Sequence, residues 1–405
     1  MRKWSDLMIS NFFGVFNDNF LKNAIIFIAV SWNLPSWLTY SQLISIVSAS
    51  LIIPYLILSP LSGKLSVKYE KLKVFRFFKL IEFPIMFIAI IAFAYEWVML
   101  AVLSVLLMGV QSCLYSPAKY GLIRDIGGVE GSAFGSGLFE TMAFLGILAG
   151  TVVASLVSDH YQVWLLGSLF VLFAAGGYYF TNRIRVREQA PEETSSLKIH
   201  LSPFRFLADS FRLSKHFPLV NTAVFMVSLF WLIGALLQMN IIIHSKNFYL
   251  ATNTTTGVVM AFAAVGIAFG TWLAGIVSKK MRRSKLIVLG LSGMILSLLP
   301  VIFLKIDLYT FALLIFLTAV SGGLFQVPNL TIIQQAQAGR RLGQLLAYMN
   351  LMVFIFVLIA SVVFSGITYF FDENSLAVFF VIVLICTCTL ISSLIIPQNH
   401  NKHEV

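Results

Sequence analysis

Residues 8–30 read MISNFFGVFNDNFLKNAIIFIAV, and the reading of this run decides the fold. A helix crossing the hydrocarbon core of a bilayer needs about 20 mostly apolar residues. The run is long enough, yet it holds Asp18 and Lys22 near its middle. Arg2 and Lys3 stand ahead of it, as basic residues do in a secretory leader. A leader, however, has a shorter, uncharged apolar region and a small-residue cleavage site. The run is therefore read as a retained first span.

Eleven further apolar runs follow, near 42–62, 74–95, 97–117, 133–157, 162–181, 219–243, 254–277, 285–304, 308–330, 343–370 and 375–396. They are too long and continuous for barrel strands, which alternate over about 10 residues. The whole chain agrees: of 405 residues 59% are hydrophobic and 11% charged, where soluble domains carry roughly 25% charged residues. The net charge of +11 would suit a nucleic-acid partner, but the basic residues lie in short segments between the spans. Orientation and anionic lipid explain such loops without a polynucleotide.

Twelve spans place Lys64, Lys68, Lys71, Lys73, Lys119, Arg124, Lys279, Lys280, Arg282, Arg283, Lys285, Arg340 and Arg341 on one face. The other face receives Lys246 and Lys305. This asymmetry puts both termini in the cytoplasm. The longest polar stretch, with Arg183, Arg185, Arg187, Pro191, Glu192 and Glu193, divides the chain. Residues 1–181 form a six-helix half, 182–215 a cytoplasmic linker with a short surface helix from Pro203 to Lys215, and 216–405 a second half with a short tail. The segments 63–74 and 275–286 share a small-residue exit and a basic turn, as parallel repeats of a transporter do. The expected fold is all-α, twelve transmembrane helices in two six-helix halves.

Charges inside a span are costly and call for a reason. Asp18 and Lys22 stand four apart, so they share one helical face, and Asn11 and Gly14 extend that stripe. The pair reads either as self-neutralising glue between helices or as the wall of a cavity for a polar head group. Glu140 has no base near it in sequence and must be protonated, paired across the bundle with a group such as Lys22, or facing water. Glu82 lies one turn from Lys79, close to the surface, where snorkelling or local pairing accounts for it. The second half offers amides instead, Gln238, Asn240, Gln326, Asn329, Gln344 and Asn350, which also serve as helix-to-helix hydrogen bonds. Gly146 with Gly150, and Gly266 with Gly270, have the spacing of close helix contacts.

Several chemistries find no support. Cys113, Cys386 and Cys388 lack metal-ligand spacing, so no metal or cofactor is expected. No histidine has an Asp five positions on, and no glycine-rich loop with a lysine cradles a phosphate. The chain reads as a gradient-driven or downhill transporter with no catalytic residue.

Gly14 followed by Asn17-Asp18-Asn19, the run Tyr115-Ser116-Pro117-Ala118-Lys119-Tyr120-Gly121, Gly137-Leu138-Phe139-Glu140 and Gly322-Gly323-Leu324-Phe325-Gln326-Val327-Pro328 resemble the bacterial lysophospholipid transporter family of the major facilitator superfamily. The resemblance runs from the first span to about the eleventh, and the Ser-Pro-Ala-Lys-Tyr-Gly run is its most specific part. It implies flipping of lyso-phosphatidylethanolamine and lyso-phosphatidylglycerol from the outer to the inner leaflet of the bacterial cytoplasmic membrane. An acyltransferase there restores the missing chain. Because the sequence ends at Val405, soon after the last span, that partner is expected to be a separate protein and the transporter a monomer among membrane lipids.

On this reading Asn17, Asp18, Asn19, Lys22, Glu140, Gln238, Asn329 and Asn350 contact substrate. Lys119, Tyr120, Arg124, Gly63, Lys64 and Lys68 serve gating or the cytoplasmic exit. Two positions depart from the pattern. Val67 stands where the superfamily's loop carries an Asp four after its Gly, and Gln238 stands near the place of an Arg in span seven. The runner-up is a proton-coupled exporter of small amphipathic compounds with Glu140 as proton carrier. A third reading is a receptor or scaffold that binds lipid without moving it.

Overall fold

The computed structural model describes residues 3–188, 199–371 and 374–395. Pro191, Glu192, Glu193 and the tail after residue 395 lie outside the described residues. Apolar runs without glycine or proline clusters form helices here because a bilayer leaves no other partner for backbone N–H and C=O groups. The helices are α1 (Ser5–Ile28), α2 (Tyr40–Lys68), α3 (Lys71–Ala94), α4 (Val98–Asp159), α5 (Val163–Arg183), α6 (Pro203–Ser214), α7 (Val220–Tyr249), α8 (Asn253–Val277), α9 (Arg283–Phe303), α10 (Leu308–Gln335), α11 (Leu342–Phe370) and α12 (Ser375–Ile395).

Ten of these are long and apolar enough to cross a membrane, among the described residues. One of the ten, α4, is 62 residues long and comprises two arms that meet at Gly128. Its φ of 66° and ψ of −166° are open only to a residue without a side chain, which is why the bend falls there. The arms are two spans. Helix α1, too polar to count by composition, is the twelfth, and α6 is a short amphipathic helix. The protein is thus a multi-pass membrane protein, all-helical with twelve spanning helices among the described residues.

By packing, the chain forms two compact units. One comprises residues 1–228 and 330–355, and the other 229–329 and 356–405. In the first, α1 lies against both arms of α4. Gly146 and Gly150 make that approach possible, since a Cβ at Gly150 would stand 2.5 Å from the Phe16 carbonyl oxygen. Phe16, Phe20 and Phe170 fill the space alongside, with Phe16 stacked on Phe173 at 3.7 Å between centroids. Helix α6 buries Phe206, Ser210 and Ser214, spaced one turn apart, and leaves Phe204 exposed. Phe206 packs where Gly63 lets α2 come close, and Gln344 of α11 donates to Ser210 Oγ at 3.1 Å.

In the second unit Gly266, Gly270 and Gly323 carry the contact of α8 with α10. At its other end Asn240 donates to the Ser375 carbonyl at 2.9 Å, and His244 Nδ1 lies 2.8 Å from Ser375 Oγ. These buried polar groups replace water that the bilayer does not supply.

Candidate functional site

Most of the ionisable groups inside spans converge in the first unit, on the facing sides of α1, α3 and α4. Asp18 of α1 accepts from the Ser112 hydroxyl, at 3.1 Å to Oδ1 and 2.9 Å to Oδ2. The charges that act on it come from Glu82, Lys79 and Lys119. Lys119 lies in the first arm of α4 and is 8% exposed. Its ammonium sits 5.2 Å from the Tyr115 ring centre and 5.4 Å from that of Phe139. An ammonium over aromatic faces is held by their quadrupoles without being neutralised, so its charge remains available to an anion. Glu140, in the second arm, accepts from the Tyr120 hydroxyl at 2.9 Å.

Behind this face lies a fully buried ion pair. Lys79 Nζ reaches Glu82 Oε2 at 2.7 Å, and both side chains have zero exposure. Asn17 donates to the other carboxylate oxygen at 2.7 Å. A Cβ at Gly14 would stand 2.8 Å from Lys79 Nζ, so glycine makes room for the ammonium. This corrects the expectation that Lys79 and Glu82 lie near the surface. The pairing is local, but the Lys79 ammonium is enclosed by Gly14 of α1, Gly177 of α5 and the Tyr115 ring of α4, which shuts it off from water. A pair this deep holds its helices in register at a high desolvation cost, and loss of one partner strands the other.

The Asn17-Asp18-Asn19 triplet does not act as one site. Successive residues of a helix point about 100° apart, and the three side chains go different ways. Asn17 joins the buried pair. Asn19 folds back onto the Val15 carbonyl at 2.9 Å, and Asn23 donates to Thr151 at 2.9 Å. Asp18 alone faces Ser112. Lys22 is half-buried one turn further along. Asp18 is the charge that acts on it, but the expected close pair gives way to the Ser112 hydrogen bond, and Lys22 forms no ion pair among the described residues.

The residues expected at the exit separate into two groups. Lys119 and Tyr120 turn inward to the site just described. Tyr120 also accepts, through its carbonyl, from Gln334 Nε2 at 3.0 Å, and Arg124 donates to the Gln334 carbonyl at 2.7 Å. Lys68 ends α2 with its ammonium 5.3 Å from the Tyr69 ring centre, and Lys64 is half-buried one turn before it. Of the amides, Asn350 donates to Ser116 Oγ at 2.9 Å, which pins α11 to the Ser-Pro-Ala-Lys run. In the second unit Asn329 folds onto the Phe325 carbonyl at 2.7 Å, and Gln238 is exposed.

Sequence reasoning missed Ser112, Tyr115 and the Lys79–Glu82 pair as members of the cluster. The only signal for the pair was a lysine and a glutamate three apart inside an apolar run. No group of metal-ligating side chains is present among the described residues. The arrangement offers a cation over aromatic rings, two carboxylates and hydroxyl donors, all able to bind a polar ligand.

The profile of the Major Facilitator Superfamily matches residues 7–361. The lysophospholipid transporter LplT of Photorhabdus laumondii is 26% identical over 360 residues, covering 85% of this chain and 83% of the relative. The LplT of Serratia proteamaculans is 26% identical over 337 residues, covering 81% and 79%. Among solved structures, the E. coli fucose:proton symporter FucP superposes with a TM-score of 0.74 at 13% identity, covering 96% of this chain and 97% of that one. A bacterial homologue of the iron transporter ferroportin, in an outward-facing state, gives 0.69 at 16% identity, covering 97% and 100%. At such identities the structures speak for the fold alone.

Proposed function

The chain belongs to the major facilitator superfamily, and from that premise we propose that it is a lysophospholipid transporter of the bacterial cytoplasmic membrane. It moves lyso-phosphatidylethanolamine and lyso-phosphatidylglycerol from the outer to the inner leaflet, where an acyltransferase re-acylates them. The observation that carries this reading is the set Asp18, Lys119 and Glu140 gathered on one polar face within an otherwise apolar bundle. A lysophospholipid has the complementary chemistry: one anionic phosphate, an amine or glycerol beside it, and a single greasy chain. Phosphate meets the Lys119 ammonium, with Lys22 one turn beyond Asp18, and the carboxylates and Ser112 meet the amine or hydroxyls. Relatives named as lysophospholipid transporters support the same substrate class.

The halves 1–181 and 216–405 are the bodies that rock, with Gly63, Lys64, Lys68 and Arg124 on the cytoplasmic side and both termini facing the cytoplasm. Gln238, Asn329 and Asn350 belong to the wall that the substrate passes.

The test is uptake of labelled lyso-phosphatidylethanolamine from the outer to the inner leaflet of proteoliposomes, with and without a proton gradient. Gradient-independent uptake above empty vesicles is expected. Uptake of a small amphipathic cation that requires the gradient, with no lipid movement, would favour the proton-coupled exporter. The hydrogen bond from Tyr120 to the buried Glu140 carboxylate is the feature that speaks for that second reading.

A further inference from the structure

The chain leaves α5 as a strap, residues 182–188, that is tied down at both ends. Near its start the Arg76 guanidinium donates to the carbonyls of Asn182 and Ile184, each at 3.1 Å. At its far end Glu188 accepts from the backbone N–H groups of Lys71 and Leu72, at 2.6 and 2.9 Å, which have no partner within their own helix. Between these ties exposure alternates. Ile184 is buried and Val186 packs against the same core, while Arg183, Arg185 and Arg187 are exposed. Extended backbone sends successive side chains to opposite sides, so the three guanidinium groups share one side.

Those three arginines, together with Lys3 ahead of α1, line a cavity of about 600 Å³. Its two carboxylates, Asp6 and Asp125, are already engaged. Asp125 meets Lys71 Nζ at 2.5 Å, and Asp6 lies 3.6 Å from Arg183 Nε. Lys3, Arg185 and Arg187 are left with no carboxylate partner among the described residues. Basic residues that only orient a membrane protein matter by their number on one side of the bilayer. Here they are also held in register around one space, on a strap that hydrogen bonds keep in place.

We propose that this cavity binds the phosphate of an anionic phospholipid, at a site separate from the face of Asp18, Lys119 and Glu140. A guanidinium presents a planar fork of donors that matches phosphate oxygens, and basic pockets beside spans take lipid head groups in this way. The outer side of α5 points to a lipid rather than a free phosphate. Leu165, Leu172 and Tyr179 are all exposed and stand seven residues apart, close to two turns, so they form one apolar stripe. The stripe ends beneath Arg183, whose guanidinium carbon lies 5.6 Å from the Tyr179 ring centre. A phosphate in the cavity lays its acyl chains along that stripe and joins the start of α1 to the end of α5. The lipid stays bound and is not carried, so the inference stands apart from the proposed substrate.

The experiment titrates the purified full chain in detergent with dioleoyl-phosphatidylglycerol, dioleoyl-phosphatidylcholine or inorganic phosphate. Bound lipid is counted by native mass spectrometry, and Tm is read in parallel. Phosphatidylglycerol is expected to bind more tightly than net-neutral phosphatidylcholine. Arg185→Gln combined with Arg187→Gln is expected to weaken phosphatidylglycerol by on the order of tenfold, the effect of losing charge-assisted hydrogen bonds. Arg185→Lys with Arg187→Lys keeps the charge and is expected to bind closer to the parent than the glutamine pair does. Lys119→Ala, on the transport face, is expected to keep the parent affinity. Parent affinity in the glutamine pair would overturn the proposal. So would equal losses in the glutamine and lysine pairs, which would assign the effect to the fold of the strap. A loss in Lys119→Ala alone would put the lipid on the transport face, and inorganic phosphate that displaces the lipid at equal concentration would reject the lipid as the source of the phosphate.

Discussion

The hydroxyl of Tyr120 donates to Glu140 at 2.9 Å, and this bond ties the two arms of α4 together across the bend at Gly128. Glu140 is 2% exposed, so the phenol supplies a partner that water cannot. Tyr120→Phe removes the donor and keeps the ring. A buried carboxylate that loses a donor is destabilised by about 1–3 kcal/mol. The expected result is a several-fold fall in lipid uptake with expression retained. Uptake at the wild-type rate would remove Glu140 from the substrate path.

Asp18 and Lys119 are assigned opposite parts of the head group. Asp18→Asn keeps the Ser112 contact in shape but removes the charge, and uptake of the amine-bearing substrate is expected to fall by about tenfold, the effect of losing one charge-assisted hydrogen bond. Lys119→Ala is expected to weaken both substrates, since both carry phosphate. Competition between the two lysolipids in each variant checks the split. Equal loss for both in Asp18→Asn would place that carboxylate in the scaffold.

Gly150 bears on stability alone. A Cβ there would stand 2.5 Å from the Phe16 carbonyl oxygen and 3.1 Å from the Phe20 nitrogen, both backbone atoms that cannot turn aside. Gly150→Ala is expected to cost about 1–3 kcal/mol by forcing α1 away from α4. Thermal unfolding in detergent reads the loss. An unchanged Tm would mean that the two helices have room to part.

Asp307 gives a dependence on pH outside the spans. The Thr310 hydroxyl, and behind it the backbone N–H groups of Thr310 and Tyr309, hold its carboxyl below the ordinary range. A depressed carboxylate stabilises the fold above its unfolded-state value, and that contribution is lost as pH falls through the folded value. Asp307→Ala should therefore lower Tm at neutral pH and make no difference in acid. A constant offset between the two proteins at every pH would show that its charge state is irrelevant.

Much of this protein is legible without a structure. Twelve apolar runs, a basic face and a polar divide suffice for the helices, because a bilayer admits only backbone that satisfies itself, and hydrophobic length is a local property of the chain. Asp18 and Glu140 stand out for the same reason, as charges where charge is expensive. What the chain cannot announce is which side chains meet across helices. Asn17, Asp18 and Asn19 look alike in a row, yet one joins Glu82, one Ser112, and one only its own helix. Lys119 reads as part of a basic loop and turns out to lie over Tyr115 and Phe139. Glu188 caps a helix that begins 117 residues earlier. Composition and spacing determined the spans and the charges buried in them. Only the tertiary structure decided their partners, because pairing depends on the rotation and approach of helices, which small residues such as Gly146 and Gly150 set by letting backbones close to contact.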